Sequence, residues 1–155
     1  MNKEKKNKLK VDPIKNGTVI DHITVGKALQ VVDILNIGES DDEIMIGLNL
    51  SSGKMQKKDL IKIENRELSE EEADSIALIS PTATLIIIND YQVVKKYKVE
   101  IPERVSGHIV CPNPACVTNT EELRTKFDLV QKAPVQVRCV YCEKRYEIDN
   151  VKFSF

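Results

Sequence analysis

The chain has no tryptophan and only four tyrosines, three phenylalanines and two histidines in 155 residues. Of the segments that read as strands, Thr18–Ile23 and Asp59–Glu64 carry no aromatic residue. This leaves little on which an RNA base could stack. Charge of one sign is missing too: the formal net charge is −1, so bulk electrostatics do not make the chain a polyanion binder. No apolar run approaches the roughly 20 residues that cross a bilayer, which argues against a membrane segment. The lysine-rich start, Met1–Lys10, is not followed by a signal-type hydrophobic stretch. The expected location is therefore the cytoplasm, where clustered cysteines point to metal before disulfide. A nucleophile–base pair and a phosphate-binding loop are also absent, so an enzyme is not expected.

What is present is a soluble, globular composition, 41% hydrophobic and 30% charged, long enough for one ordinary domain or two small ones. Lys3, Lys5, Lys6 and Lys8 stand against Glu4 alone and read as a solvated basic arm. Strand and helix patterns then alternate. Thr18–Ile23 reads as a strand, and residues 25–35 as an amphipathic helix. Residues 43–49 and Asp59–Glu64 read as two strands joined by a turn at 51–53. Ser69 and Glu72 form a capping box that starts a helix running to about Ile79. Thr84–Asn89 is almost wholly apolar and reads as the central strand, and Tyr91–Val99 as the last. The order β-α-β-β-α-β with one added strand is the ferredoxin-like arrangement of an α+β fold. Pro102 and its acidic neighbours mark a boundary, giving an N-terminal domain at 1–101 and a small all-β domain at 102–155.

The second domain has about fifty residues, too few to hold a sufficient core without a staple. It carries all four cysteines, as Cys111-x4-Cys116 and Cys139-x2-Cys142. Two short loops, each giving two thiolates, suit one tetrahedral structural Zn²⁺ per chain. Four ordinary buried thiols would not cluster in two pairs. A redox Cys-x2-Cys would open a helix, whereas residues 135–146 read as a β-hairpin. A catalytic zinc would keep an open position, and the only nearby histidine is His108.

In the first domain Asp21 and His22 are consecutive on a strand, so simple alternation places their side chains on opposite sides of the sheet. Lys62 and Lys96 lie on other strands. If these pair as expected, cations gather beside the N-terminal segment, where a nucleotide phosphate would bind. A solvated charged sheet face is the plainer reading of the same residues.

The whole chain resembles the regulatory chain family of aspartate carbamoyltransferase. The likeness rests on residues 17–23 (GTVIDHI), 46–50 (IGLNL), 58–65 (KDLIKIEN), Tyr91 with Val93 and Val94, residues 102–104 (PER), residues 111–113 (CPN) and residues 141–144 (YCEK). It implies an allosteric domain that binds CTP, UTP or ATP, and a zinc domain that docks on the catalytic chain. It also implies a regulatory-chain homodimer and a role in regulating pyrimidine biosynthesis. The nucleotide site carried over by the resemblance comprises Val11, Asp12, Ile14, Val19, Asp21, His22, Lys62, Tyr91, Val93 and Lys96. In that pattern Lys96 and His22 meet phosphates or base, and Asp21 and Lys62 meet the ribose. Lys8 matches a position linked to a second, metal-bridged nucleotide. Asn113, Glu143 and Lys144 match contacts to the catalytic chain. Ile86 stands where the family often has asparagine, which bears on effector preference, and Ala115 replaces a polar residue of the first zinc loop. The competing reading is a zinc-ribbon adaptor for nucleic acid. Against it, residues 106–155 hold seven basic and six acidic side chains, so no basic patch arises by count.

Overall fold

The computed structural model describes residues 13–154. Its first part runs β1 (Gly17–Ile23), α1 (Ala28–Leu35), β2 (Ile44–Ser52), β3 (Gln56–Glu64), α2 (Glu70–Ile79), β4 (Thr84–Asn89) and β5 (Gln92–Lys98). The five strands form one antiparallel sheet in the order β2-β3-β1-β4-β5. The ferredoxin-like expectation therefore holds, with one correction. The middle strand is β1, not the more apolar β4, which lies between β1 and the edge strand β5. Both strands are flanked, so apolar content alone does not tell them apart. Gly17 opens β1 at φ 144°, where a Cβ would fall 2.1 Å from the carbonyl oxygen of Ile63.

The two helices cover one face of the sheet. The core there is aliphatic: Ile20, Ile23, Ile61, Ile63 and Leu85 from strands meet Val31, Ile34, Leu35, Ile76 and Ile79 from helices. The helices start in different ways. α2 carries its own capping box, in which Ser69 Oγ accepts from Glu72 N–H and the Glu72 carboxylate accepts from Ser69 N–H. α1 has no side-chain cap of its own. Its free N–H groups are met by Asp59, a buried residue of β3, whose Oδ2 accepts from Gly26 N–H at 3.0 Å and Ala28 N–H at 3.3 Å. The other carboxylate oxygen accepts from Asn49 N–H at 2.9 Å, where β2 bulges and Asn49 turns to φ 58°. One carboxylate thus ties together a helix start and a bulge.

The second part carries β6 (Arg104–Ser106), β7 (Ile109–Val110), a single-turn helix α3 (Val117–Thr120), β8 (Lys126–Lys132), β9 (Val135–Cys139), β10 (Arg145–Glu147) and β11 (Lys152–Phe153). The strands form a four-stranded sheet, β10-β9-β8-β6, and a small pair, β11-β7. The hairpin expected over residues 135–146 is β9-β10. The all-β expectation needs only the addition of α3. The core of this part joins Phe127, Val105, Ile109, Val135, Val137, Ile148 and Val151 to Cys111, Cys116 and Cys139. It also takes in Leu78 of α2, and Ile101 and Phe153 touch both cores. Around that seam Lys27 pairs with Asp149 at 2.8 Å, and Glu71 faces His108 at 3.2 Å and Arg124 at 3.7 Å.

Candidate metal centre and anion-binding face

The two cysteine pairs lie on separate loops that the second core holds face to face. Cys139 ends β9 and Cys142 sits in the tip before β10. Cys111 follows β7, and Cys116 precedes α3. The sulfurs lie within 4.8 Å of one another, with Cys111 and Cys142 at 3.7 Å and Cys116 and Cys139 at 3.8 Å. A tetrahedron with Zn–S bonds of ~2.3 Å has edges of roughly 3.8 Å, so the donor set fits one zinc ion. Disulfides need about 2.05 Å, and all four cysteines are free.

The thiols share charge unevenly. Burial pushes the Cys111 thiol up to about 12, and the neighbouring thiols add to this. Burial also opposes ionisation of Cys142. There the N–H of Lys144, the Asn113 side chain and the neighbouring thiols outweigh it and bring that thiol down to about 7. Such a set does not carry four negative charges at neutral pH without a cation among them. Backbone N–H groups support each sulfur: Asn113 at Cys111, Thr118 at Cys116, Tyr141 and Cys142 at Cys139, and Lys144 at Cys142.

The residues expected to touch a partner chain surround this cluster. Glu143 and Lys144 are exposed. Asn113 is half-buried and turned inward: its side-chain oxygen accepts from Ala115 N–H at 3.1 Å, and its backbone oxygen accepts from Asn119 Nδ2 at 2.7 Å.

On the first sheet, the face away from the helices carries a small apolar floor of Ile14, Val19 and Leu60, packed by Leu50, Ile86 and Ile88. The charged residues surround it. Simple alternation fails at Asp21 and His22. Ile20 and Ile23 are both fully buried in the core, so the two residues between them bulge out together. His22 takes φ 55°, and its N–H donates to Asp21 Oδ1 at 2.6 Å. The expectation of opposite faces is therefore corrected: the bulge puts both side chains on the open side. Asp21 Oδ1 accepts from Lys58 Nζ at 2.7 Å, and His22 Nδ1 lies 3.3 Å from Thr84 Oγ1. Burial raises the Asp21 carboxyl, but the bonds from Lys58 and His22 N–H and their charges outweigh it and hold it below the usual range. His22 is lowered, first by burial and then by Lys58, Lys54 and Lys96, with Asp21 opposing.

A second bulge acts on β5. Val93 pairs with Ile88 and Lys96 with Ile86, both on the floor side, with a shift in register between them. Val93 and Lys96, three residues apart, thereby share the open face. Lys62 pairs with Val19 across β1 and follows the same parity. Tyr91 is exposed at φ 62°, and its N–H donates to the Lys15 carbonyl at 2.9 Å, which ties the β4–β5 turn to the N-terminal segment. Val11, Asp12 and Lys8 lie outside the described residues. Lys58 and Lys54 belong to this cationic rim and were missed from sequence. Lys58 shares parity with Leu60 and Lys62, which was the legible signal; Lys54 lies in a turn and offered none.

Comparison with known proteins adds relationship to geometry. The family model described as aspartate carbamoyltransferase regulatory chain, allosteric domain, matches residues 9–100. The one described as the metal binding domain of that regulatory chain matches residues 103–152. The aspartate carbamoyltransferase regulatory chain of Methanothermobacter thermautotrophicus is 44% identical over 156 aligned positions, covering the whole of both chains. That of Methanococcus aeolicus is 52% identical over 139 residues, covering 90% of this chain and 89% of its own. That of Pyrococcus abyssi is 47% identical over 145 residues, covering 92% and 95%.

Proposed function

From the premise that the chain belongs to the family of aspartate carbamoyltransferase regulatory chains, we propose that its first domain binds a nucleoside triphosphate on the open sheet face and its second docks on a catalytic chain. The chain is non-catalytic, with an allosteric domain and a metal-binding domain that takes zinc. The division falls at 101/102, and the zinc ligands are Cys111, Cys116, Cys139 and Cys142. The chain works in the cytoplasm, where these thiols stay reduced. No helix among the described residues is long and apolar enough to cross a membrane.

One observation carries the nucleotide reading: two bulges bring Asp21, His22, Val93 and Lys96 to one face, beside Lys58 and around an apolar floor. The floor suits a base and sugar, and the rim suits a polyphosphate. A triphosphate brings about three to four negative charges near pH 7, and each lysine contact is a charge-assisted hydrogen bond of ~1.5–3 kcal/mol. Lys62 and Asp21 serve the ribose, and Lys96 and His22 the phosphates or the base. Val11, Asp12, Ile14, Val19, Tyr91 and Val93 complete the site, and Lys8 serves a second, metal-bridged nucleotide. Asn113, Glu143 and Lys144 meet the catalytic chain. The same chain pairs with a second copy. What supports this is the exposed apolar flank of α1 and β2, where Leu29 is 58% and Leu48 50% exposed beside Val25 and Ile46.

The test is calorimetry of the intact chain with CTP, UTP and ATP, repeated on Lys96→Ala. Binding is expected to weaken roughly 10- to 100-fold. Equal affinity in both proteins removes Lys96 from the site, and no binding of any nucleotide leaves only docking. Aspartate saturation of the reassembled enzyme, with and without each nucleotide, then reads the coupling between the sites.

A further inference from the structure

Each sulfur of the cysteine cluster is served by two hydrogen-bond donors, and they are not all backbone. Cys139 meets two backbone N–H groups, those of Tyr141 and Cys142. The other three sulfurs each meet one backbone N–H and one side chain. The Tyr146 hydroxyl lies 3.9 Å from Cys111 Sγ, the Thr118 hydroxyl lies 3.2 Å from Cys116 Sγ, and the Asn113 side chain stands against Cys142. The hydroxyls arrive from different elements. Tyr146 is on β10, opposite Val137, with its ring packed in the second core. Thr118 is in α3, two residues after Cys116.

A free thiol and a hydroxyl can exchange donor and acceptor roles. A metal-bound thiolate can only accept, so each hydroxyl then becomes the donor. Four thiolates around one dication leave an excess of negative charge on the sulfurs. Donors aimed at them spread that charge, lower the sulfurs' basicity and slow their protonation and departure. Backbone N–H groups do this at every cysteine whatever the sequence, whereas the hydroxyls are a property of the residues at 118 and 146.

We propose that Tyr146 and Thr118 are positioning residues of the zinc centre, donating to Cys111 and Cys116 and holding those thiolates in a kinetically inert, metal-bound form. The proposal rests on the zinc reading of the four cysteines. Neither residue is needed to complete the ligand set; both set how readily the metal leaves it.

The test uses the full zinc-loaded chain and the variants Tyr146→Phe, Thr118→Val and Thr118→Ser. Zinc transfer to an excess of a metallochromic chelator gives the release rate. The sulfur-to-metal charge-transfer band of the cobalt(II)-substituted protein gives a second readout, which reports the electron density on the sulfurs. Tyr146→Phe and Thr118→Val should each release zinc roughly 10-fold faster, at the low end of the 10- to 100-fold that supporting partners contribute. The cobalt band should shift to lower energy as the thiolates lose a donor. Thr118→Ser keeps the hydroxyl and should match the parent. Tyr146→Phe keeps the ring, so a release rate and band equal to the parent's would overturn the Tyr146 assignment, and the same result in Thr118→Val would overturn that of Thr118. A parent chain that holds clearly less than one zinc removes the zinc reading itself, and this proposal with it. A parent with one zinc and unchanged variants removes the proposal alone.

Discussion

Around Ile20, Ile61 and Ile76 the fully buried residues of the first core are all aliphatic, while around Phe127 the second closes on a core that counts Cys111, Cys116 and Cys139 among its members. The first core is built from five strands and two helices, and burial of each fully covered aliphatic side chain stabilises it by about 1.5–3 kcal/mol. The second has strands of two to seven residues and few large side chains. Its loops are drawn together at the sulfurs, so metal binding there is part of folding. The contrast teaches that one chain can keep an element that depends on a ligand beside one that does not. Leu78 joins them: it grows from the helix of one and packs in the core of the other.

The largest effect is expected from Cys139→Ser, which removes one thiol of the four-cysteine cluster from the second core. Zinc content should fall from one per chain towards none, and amide protection should vanish over residues 103–152 while residues 17–98 keep theirs. Loss of protection in both regions would break the contrast. Ile61→Ala should act in the opposite half, costing about 2–5 kcal/mol of stability with zinc content unchanged. Chemical denaturation together with metal analysis reads both quantities. Leu78→Ala sharpens the comparison at its seam. A loss of about 2–3 kcal/mol is expected in the unfolding of the second region, with a smaller change in the first, read by exchange at single amides. A loss confined to the first region would detach Leu78 from the second core.

The smallest effect concerns pH. In the folded chain His22 is held below its ordinary value of 6.5 by burial and by Lys58, Lys54 and Lys96, with Asp21 opposing. The folded state therefore binds this proton less readily than the unfolded one. The stability contribution is complete above about pH 6.5 and is lost as pH falls through the lowered value. A bound polyanion reverses the preference, so triphosphate affinity should rise about two- to fivefold from pH 7.5 to 5.5, with proton uptake. Calorimetry in buffers of different ionisation enthalpy measures that uptake, and its absence in His22→Gln assigns it.

Much of this was legible in the sequence, for physical reasons. The alternation of strands and helices follows from period, and the start of α2 from Ser69 and Glu72, because the signal and its partner lie three residues apart. The cysteine pairs were legible because ligand spacing is a local property. The bulges were not. Asp21 and His22 read as opposite faces because nothing in residues 18–23 says that Ile20 and Ile23 both point inward. The bulge that brings Val93 and Lys96 to one face had no local signal either. A bulge is decided by the partner strand, and one extra residue changes every face beyond it. Tyr146 was silent because the sulfur it approaches is thirty-five positions away.

The carboxylate of Asp59 also bears on the order in which the chain folds. α2 can begin as soon as its own residues are present, because its capping box closes within three positions. α1 has eight residues, below the roughly 12–15 at which an isolated helix becomes marginal in water. Its start waits for an acceptor 31 and 33 positions downstream. Closing that loop costs chain entropy that is recovered only when β3 takes its place beside β1. The helix that comes first in the sequence should therefore consolidate after the second. Substitutions in α1 should mainly speed unfolding, and those in α2 should mainly slow folding. A stopped-flow series across the two helices reads the difference, and Asp59→Ala should leave α2 formed in the transition state while α1 has lost its start.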